Sequence, residues 1–137
     1  MTESPNIELV RSIFIGWEQG DWFGWLDQAD PEIEYVFADG PDPGAWVGVD
    51  AAVQHWHEQL RPWDDLALEA YEYRELEDGR ILALHHTRGA GKASSVEVHA
   101  EGAVIFRVED GTVAGLVIYW DRDRALADLG LSPEGEP

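Results

Sequence analysis

The sequence predicts an α+β domain: a curved antiparallel sheet with helices laid on one face, leaving room for a hydrophobic cavity. Three observations carry that prediction. Helix-period patterns collect in the first half of the chain and strand-period patterns in the second, the order of a fold that lays its helices on one face of a sheet. Residues 96–108 alternate cleanly, with Val96, Val98, Ala100, Gly102, Val104, Phe106 and Val108 on one face and Glu97, His99, Glu101 and Arg107 on the other. The turn Glu109-Asp110-Gly111 joins that run to a partner at 113–121, and everything upstream is arranged to lie against this pair.

The elements follow in order. Ser4 caps a first helix and Pro5 opens it, a position where proline's missing N–H costs nothing. Val10, Ile13, Phe14 and Trp17 then recur at i, i+3, i+4 and i+7, an apolar stripe. Gly20 ends the helix. Asp21 caps a short second one, covered inside by Trp22, Phe23, Trp25 and Leu26 and stopped by Asp30-Pro31. Residues 32–37 read as a half-buried strand with Ile33, Tyr35 and Phe37 on one face. Residues 40–44, Gly-Pro-Asp-Pro-Gly, read as a loop.

Asp50 is the expected cap of a third helix over 51–60, with Val53, Trp56 and Leu60 inward, ended by Arg61-Pro62. A long strand at 66–76, a hairpin signal at Glu77-Asp78-Gly79 and a return strand at 80–88 follow. Residues 89–95 are expected to form a flexible turn into the 96–108 strand. Asp121 caps a last helix over 122–129, with Gly130 just past its end. The strands at 81–84 and 113–120 are apolar on both faces, so a second layer must cover the back of the sheet. With every element already placed, that predicts a homodimer through the sheet.

Length suits one domain over residues 1–131 with a disordered tail at 132–137. Without cysteine there is no disulfide or thiolate metal site. The N-terminus lacks a signal-peptide pattern, and no apolar run approaches the roughly 18–20 residues of a membrane span, so a cytoplasmic protein is expected. Nine basic against 28 acidic residues give a net charge of −19, which repels phosphate backbones and anionic lipids; neither nucleic acid nor membrane is an expected partner. Seven tryptophans bring large apolar area with a polar edge, suited to cores and to flat-sided ligand pockets.

Two stretches carry a family resemblance. One is Gly20-Asp21 after an aromatic helix, followed by Pro41-x-Pro-Gly-x-x-x-Gly48 before the third helix. The other is residues 109–122, Glu-Asp-Gly-Thr-Val-Ala-Gly-Leu-Val-Ile-Tyr-Trp-Asp-Arg, with Ala125-Leu126 and Gly130-Leu131 beyond. Together they resemble the SnoaL-like polyketide cyclase group of the nuclear transport factor 2 superfamily, over roughly residues 5–131. The resemblance implies a cone-shaped sheet on three helices, a deep cavity and a dimer. It implies no single chemistry, because the superfamily holds isomerases, cyclases, epoxide hydrolases, dehydratases and binders. Ketosteroid isomerases carry a Tyr where this chain has Ile13, an Asp near Tyr35 and another near Ala103 or Val104. Limonene epoxide hydrolases carry an Asp where Ile118 stands, and many SnoaL-like proteins a His near Val104. None of these groups is present here. Trp120 does match a cavity-lining Trp of some isomerases.

What remains is an aromatic box. Ile13, Trp17, Trp56, Val104, Leu116, Ile118 and Trp120 are the expected ligand-binding residues, with Tyr35 and Tyr71 as polar members. One of His85 and His86 must also face inward. A two-residue turn at Asp78-Gly79 pairs Tyr71 with His86 and points both inside; a three-residue loop substitutes His85. The first option makes His86 the candidate base, with Tyr35 and Tyr71 as hydrogen-bond donors. His55 and His57 read as surface or rim residues. His99, Glu97 and Glu101, with Glu72 and the outward histidine, form a polar patch or, less simply, a metal site; no metal or cofactor is expected. Asp121 reads as a cap, and Asp39 could reach the cavity mouth. The expected function is binding of a hydrophobic small molecule. The alternative is a cofactor-independent isomerase, cyclase, hydrolase or dehydratase using His and Tyr.

Overall fold

The computed structural model describes residues 4–39, 43–61, 63–91 and 97–131. The tail at 132–137, most of the proposed flexible turn before residue 97, and the start of the Gly-Pro loop lie outside them. Nine elements and one 3₁₀ turn follow one another: α1 (Pro5–Glu18), the turn Gly24–Gln28, β1 (Ala29–Phe37), β2 (Gly44–Val47), α2 (Val49–Leu60), β3 (Trp63–Glu75), β4 (Ile81–Gly91), β5 (Glu97–Glu109), β6 (Thr112–Tyr119) and α3 (Arg122–Leu129). The six strands form one sheet in the order β2-β1-β6-β5-β4-β3.

Local chemistry explains most boundaries. The Ser4 hydroxyl accepts the Ile7 N–H at 3.2 Å, the expected cap of α1. Asp110 and Gly111 both take positive φ, 53° and 75°, between the paired Glu109 and Thr112, the two-residue turn whose twist matches its strands. The Asp121 side chain accepts the Asp123 N–H at 3.0 Å, and Gly130 closes α3 in the left-handed region.

Five expectations need correcting. The second helix is a 3₁₀ turn that ends at Gln28, before Asp30-Pro31. Asp21 still serves it, its carboxylate accepting the Gly24 N–H at 3.0 Å. Pro31 lies inside β1, in the irregular stretch between Ala29 and Glu34 where a missing N–H breaks no ladder bond. Residues 44–47, of which the sequence reading places only Gly44, in the loop, form the edge strand β2. The third helix starts one residue before Ala51's predicted cap: Gly48 holds that place at φ 100°, a conformation that disfavours side chains. Finally, β1 runs parallel to β6, so the sheet is mixed rather than wholly antiparallel.

The core divides across the sheet. On the inner face Phe14, Trp17, Trp25, Tyr35, Trp56 and Phe106 pack together, with Phe14 to Trp17 at 4.8 Å and Trp17 to Trp56 at 5.0 Å between ring centres. On the outer face Leu82, Leu84, Ala103, Ile105 and Tyr119 pack under Ala125 and Leu126. The second layer demanded by these two-sided strands is supplied in part by α3. Tyr119 ties the two together by donating to Asp128 at 2.8 Å, and burial with that carboxylate raises its phenol to about 12.

Leu126 is 1% exposed at the centre of this outer core. Leu126→Ala is expected to lower unfolding free energy by about 2–4 kcal/mol in urea titrations, the range for emptying a buried leucine site. A loss under about 0.5 kcal/mol would show that α3 is not part of the core.

Candidate functional site

The pocket lies at one end of the inner face, with a volume of about 60 Å³. The end of α2 contributes Trp56 and Leu60, β3 contributes Trp63, Leu66 and Leu68, and β6 with the residue that follows it contributes Ile118 and Trp120. Trp63 and Trp120 stand 6.2 Å apart. Asp39 holds the strand end that carries Trp120: its carboxylate accepts the Trp120 N–H at 2.6 Å and the Asp121 N–H at 3.3 Å. The expected reach of Asp39 toward the mouth is thus made through backbone, not through the pocket itself.

The polar end of the pocket is His85 with Thr87, both on β4. Ile81, Ala83, His85 and Thr87 alternate toward the interior, opposite Phe106, Val104, Gly102 and Ala100 of β5. His85 is 2% exposed. Its imidazole fits because the facing residue is glycine: a Cβ added at Gly102 would stand 2.7 Å from His85 Cε1 and 3.0 Å from Nε2. Thr87 Oγ1 lies 3.3 Å from Nδ1. Nε2 has no partner among the described residues, and neither does Nε1 of Trp56. Burial holds His85 down to about 4, so the ring is neutral at physiological pH.

The expected acid-base group is corrected at this point. His86 is on the outer face, 2.7 Å from Glu101, and cannot serve the interior. Tyr71 is outside as well, 42% exposed, stacked on His86 at 4.7 Å, with its hydroxyl donating to Glu101 and accepting from Arg122. Two features of the hairpin cause this. Leu76 donates to the Arg80 carbonyl, which leaves the three-residue loop Glu77-Asp78-Gly79 instead of a two-residue turn. A bulge then falls at Tyr71, between the pairs Ala70–His85 and Glu72–Leu84, and turns its side chain outward.

Tyr35 is inside but not at the pocket. It is fully buried, its ring 5.5 Å from Trp56, and its hydroxyl has no partner among the described residues. Burial pushes its phenol far above the usual range. Of the expected ligand-binding residues, Trp56, Val104, Ile118 and Trp120 line the pocket. Ile13, Trp17 and Leu116 are packed into the inner core instead, with Trp17 against Trp56 and Phe106. His55 is not a surface or rim residue: it is 4% exposed and stacks on Trp46 of β2 at 3.7 Å. His99 is exposed beside Glu97 at 2.7 Å, and among the described residues no three His, Asp or Glu side chains are grouped to hold a metal. Trp63, Leu66 and Leu68 are liners the sequence reading does not name; Leu66 and Leu68 share a face by alternation, whereas Trp63 lies beyond the register shift between Asp64 and Ala67.

The depressed His85 value has a measurable consequence. In the unfolded chain this imidazole titrates near 6.5, and in the folded protein near 4, so the unfolded state binds more protons between those values. Its contribution to stability is complete above about pH 6.5 and falls as pH drops toward 4. At pH 5 the loss is about 2 kcal/mol, from the ratio of the two titrations. Chemical denaturation at pH 7.5 and pH 5 should show this difference in the parent and lose it in His85→Leu. Equal pH dependence in both proteins would contradict a buried, neutral imidazole.

Comparison with known proteins supplies the family. No curated protein matches the sequence. Among solved structures, an NTF2-like protein from Burkholderia thailandensis is 17% identical, with a TM-score of 0.76 over 96% of this chain and 100% of that one. An NTF2-like protein of unknown function from Burkholderia pseudomallei is 18% identical, with a TM-score of 0.75 over 91% and 97%. TerC, co-crystallised with polyporic acid, is 19% identical, with a TM-score of 0.70 over 93% and 98%. At these identities the likeness concerns fold. The family model for the SnoaL-like domain matches residues 10–116, most of the described chain, and the protein belongs to the SnoaL-like family.

Proposed function

We propose that this protein binds a hydrophobic small molecule in the pocket bounded by Trp56, Trp63, Trp120 and His85. The observation that carries the reading is the composition of that wall: indoles and aliphatic side chains, broken by a buried histidine–threonine pair. A relative of the same fold, TerC, was crystallised with the organic molecule polyporic acid, which supports a small-molecule role.

The catalytic alternative, proton transfer by a histidine at this site, is less well supported. An efficient general base has a pKa near the working pH, and His85 is held near 4. The phenols expected to assist are elsewhere, Tyr71 outside and Tyr35 behind Trp56. His85 is better suited to orient a ligand than to deprotonate it. Self-association through the sheet would use the outer face that α3 leaves, which carries polar contacts such as His86–Glu101 and His99–Glu97.

The test is a titration of intrinsic Trp fluorescence with a panel of uncharged aromatic compounds, followed by mass spectrometry of the recovered ligand. Saturable quenching with unchanged ligand is expected, and Leu68→Trp, which fills the pocket from a half-buried position, should weaken it at least tenfold while leaving the circular dichroism unchanged. Chemical conversion of the ligand would replace binding with catalysis. Equal quenching in parent and Leu68→Trp would place the binding elsewhere.

A further inference from the structure

We infer that Trp63 is the movable wall of the pocket, closing the hollow against Gly89 and Leu66 and turning outward to admit a ligand, an assignment that rests on the pocket being a ligand site. It adds the residue that controls how large a molecule can enter.

Size makes a movable wall necessary. The hollow measures about 60 Å³. A cavity of about 150 Å³ holds one benzene ring, and sites for larger organic molecules start near roughly 300 Å³. A ring therefore enters only if part of the lining gives way.

Most of the lining is locked. Phe37, Trp56, His85, Val104 and Ile118 are each no more than 9% exposed, inside a close-packed core. Trp120 is half-buried, but its backbone N–H is held by Asp39 at 2.6 Å. Trp63 is half-buried too, and its strand end is held less firmly. It is the first residue of β3, which lies at an edge of the sheet. The pairing of β3 with β4 shifts between Asp64 and Ala67, so the pairs Trp63–Gly91 and Asp64–Ala90 stand apart from the regular ladder. The indole rests on a glycine: a Cβ added at Gly89 would stand 3.1 Å from Trp63 Cε3 and 3.0 Å from Leu66 Cδ1. Its ring faces Trp120 at 6.2 Å with a tilt of 35°, a wedge rather than a parallel stack.

A gate and a fixed wall respond oppositely to loosening. Where the binding-competent state is a minor one, apparent affinity is reduced by its fractional population. Pushing Trp63 off its seat raises that population and tightens binding. Disturbing a fixed wall gains nothing.

The experiment uses naphthalene, an uncharged bicyclic hydrocarbon, with the full chain labelled with 5-fluorotryptophan. Fluorine NMR follows Trp63 and Trp56, assigned through Trp63→Phe and Trp56→Phe. At saturation in the parent, the Trp63 resonance should acquire the solvent isotope shift of an exposed indole, while Trp56 stays shielded. Gly89→Ala, with circular dichroism unchanged, should bind naphthalene about threefold or more tighter, and Trp63→Ala about tenfold or more tighter, because the cost of opening falls and then disappears. A Trp63 resonance that stays shielded in the saturated parent, or variants that bind no tighter than the parent, would overturn the gate and leave the ligand pocket standing. Naphthalene binding to Trp63→Ala alone would make Trp63 a fixed wall and overturn the gate as well. No binding to the parent or to either variant would remove the pocket reading and the gate together.

Discussion

The constraint on which the rest depends is the register between β4 and its two neighbours. It decides which of two adjacent histidines enters the interior. On one side, Gly102 of β5 leaves room for an imidazole that any side chain would displace. On the other, the three-residue loop and the bulge at Tyr71 bring Ala70, a small residue, opposite His85. Shifting that pairing by one residue would exchange His85 for His86, drive a partner of Glu101 into grease, and expose the ring that now completes the pocket.

From this register the chemistry follows. A histidine placed among Phe14, Thr87 and backbone loses its hydration and stays neutral. It becomes a hydrogen-bonding group and a poor base. The inner core beside it is filled by rings, with Trp17 packed against Trp56 and Phe106. Outside, the displaced Tyr71 and His86 join Glu101 and Arg122 in an exposed network that fastens the first turn of α3 to the sheet. Exposed pairs of this kind contribute little individually, so the hold of α3 rests on Ala125 and Leu126.

Much of the architecture was legible in the sequence. The stripe Val10, Ile13, Phe14, Trp17, the alternation through Val104 and Phe106, and the Asp110-Gly111 turn each carry their period or turn chemistry openly. The candidate site was legible only in part. Val104, Ile118 and Trp120 followed from strand faces and Trp56 from helical spacing, but which histidine looks inward depended on loop length and on a bulge, and neither leaves a residue-type signature at Glu77-Asp78-Gly79 or Tyr71. The depth of the cavity was overstated for a related reason. Periodicity tells which face is inside, but only packing tells whether Ile13, Trp17 and Leu116 line a space or fill it. Burial of His55 is not legible in the sequence because its cover, β2, is only four residues long, too short to show a clear strand period beside the Gly-Pro loop.

Diethylpyrocarbonate modification of the folded protein, read residue by residue by tandem mass spectrometry, tests the register most directly. His86, about half exposed, should be modified quickly, and His85, 2% exposed, should stay unmodified until the chain is denatured. Modification of His85 ahead of His86 in the native protein would contradict the pairing on which the pocket, its neutral imidazole and its proposed ligand all rest.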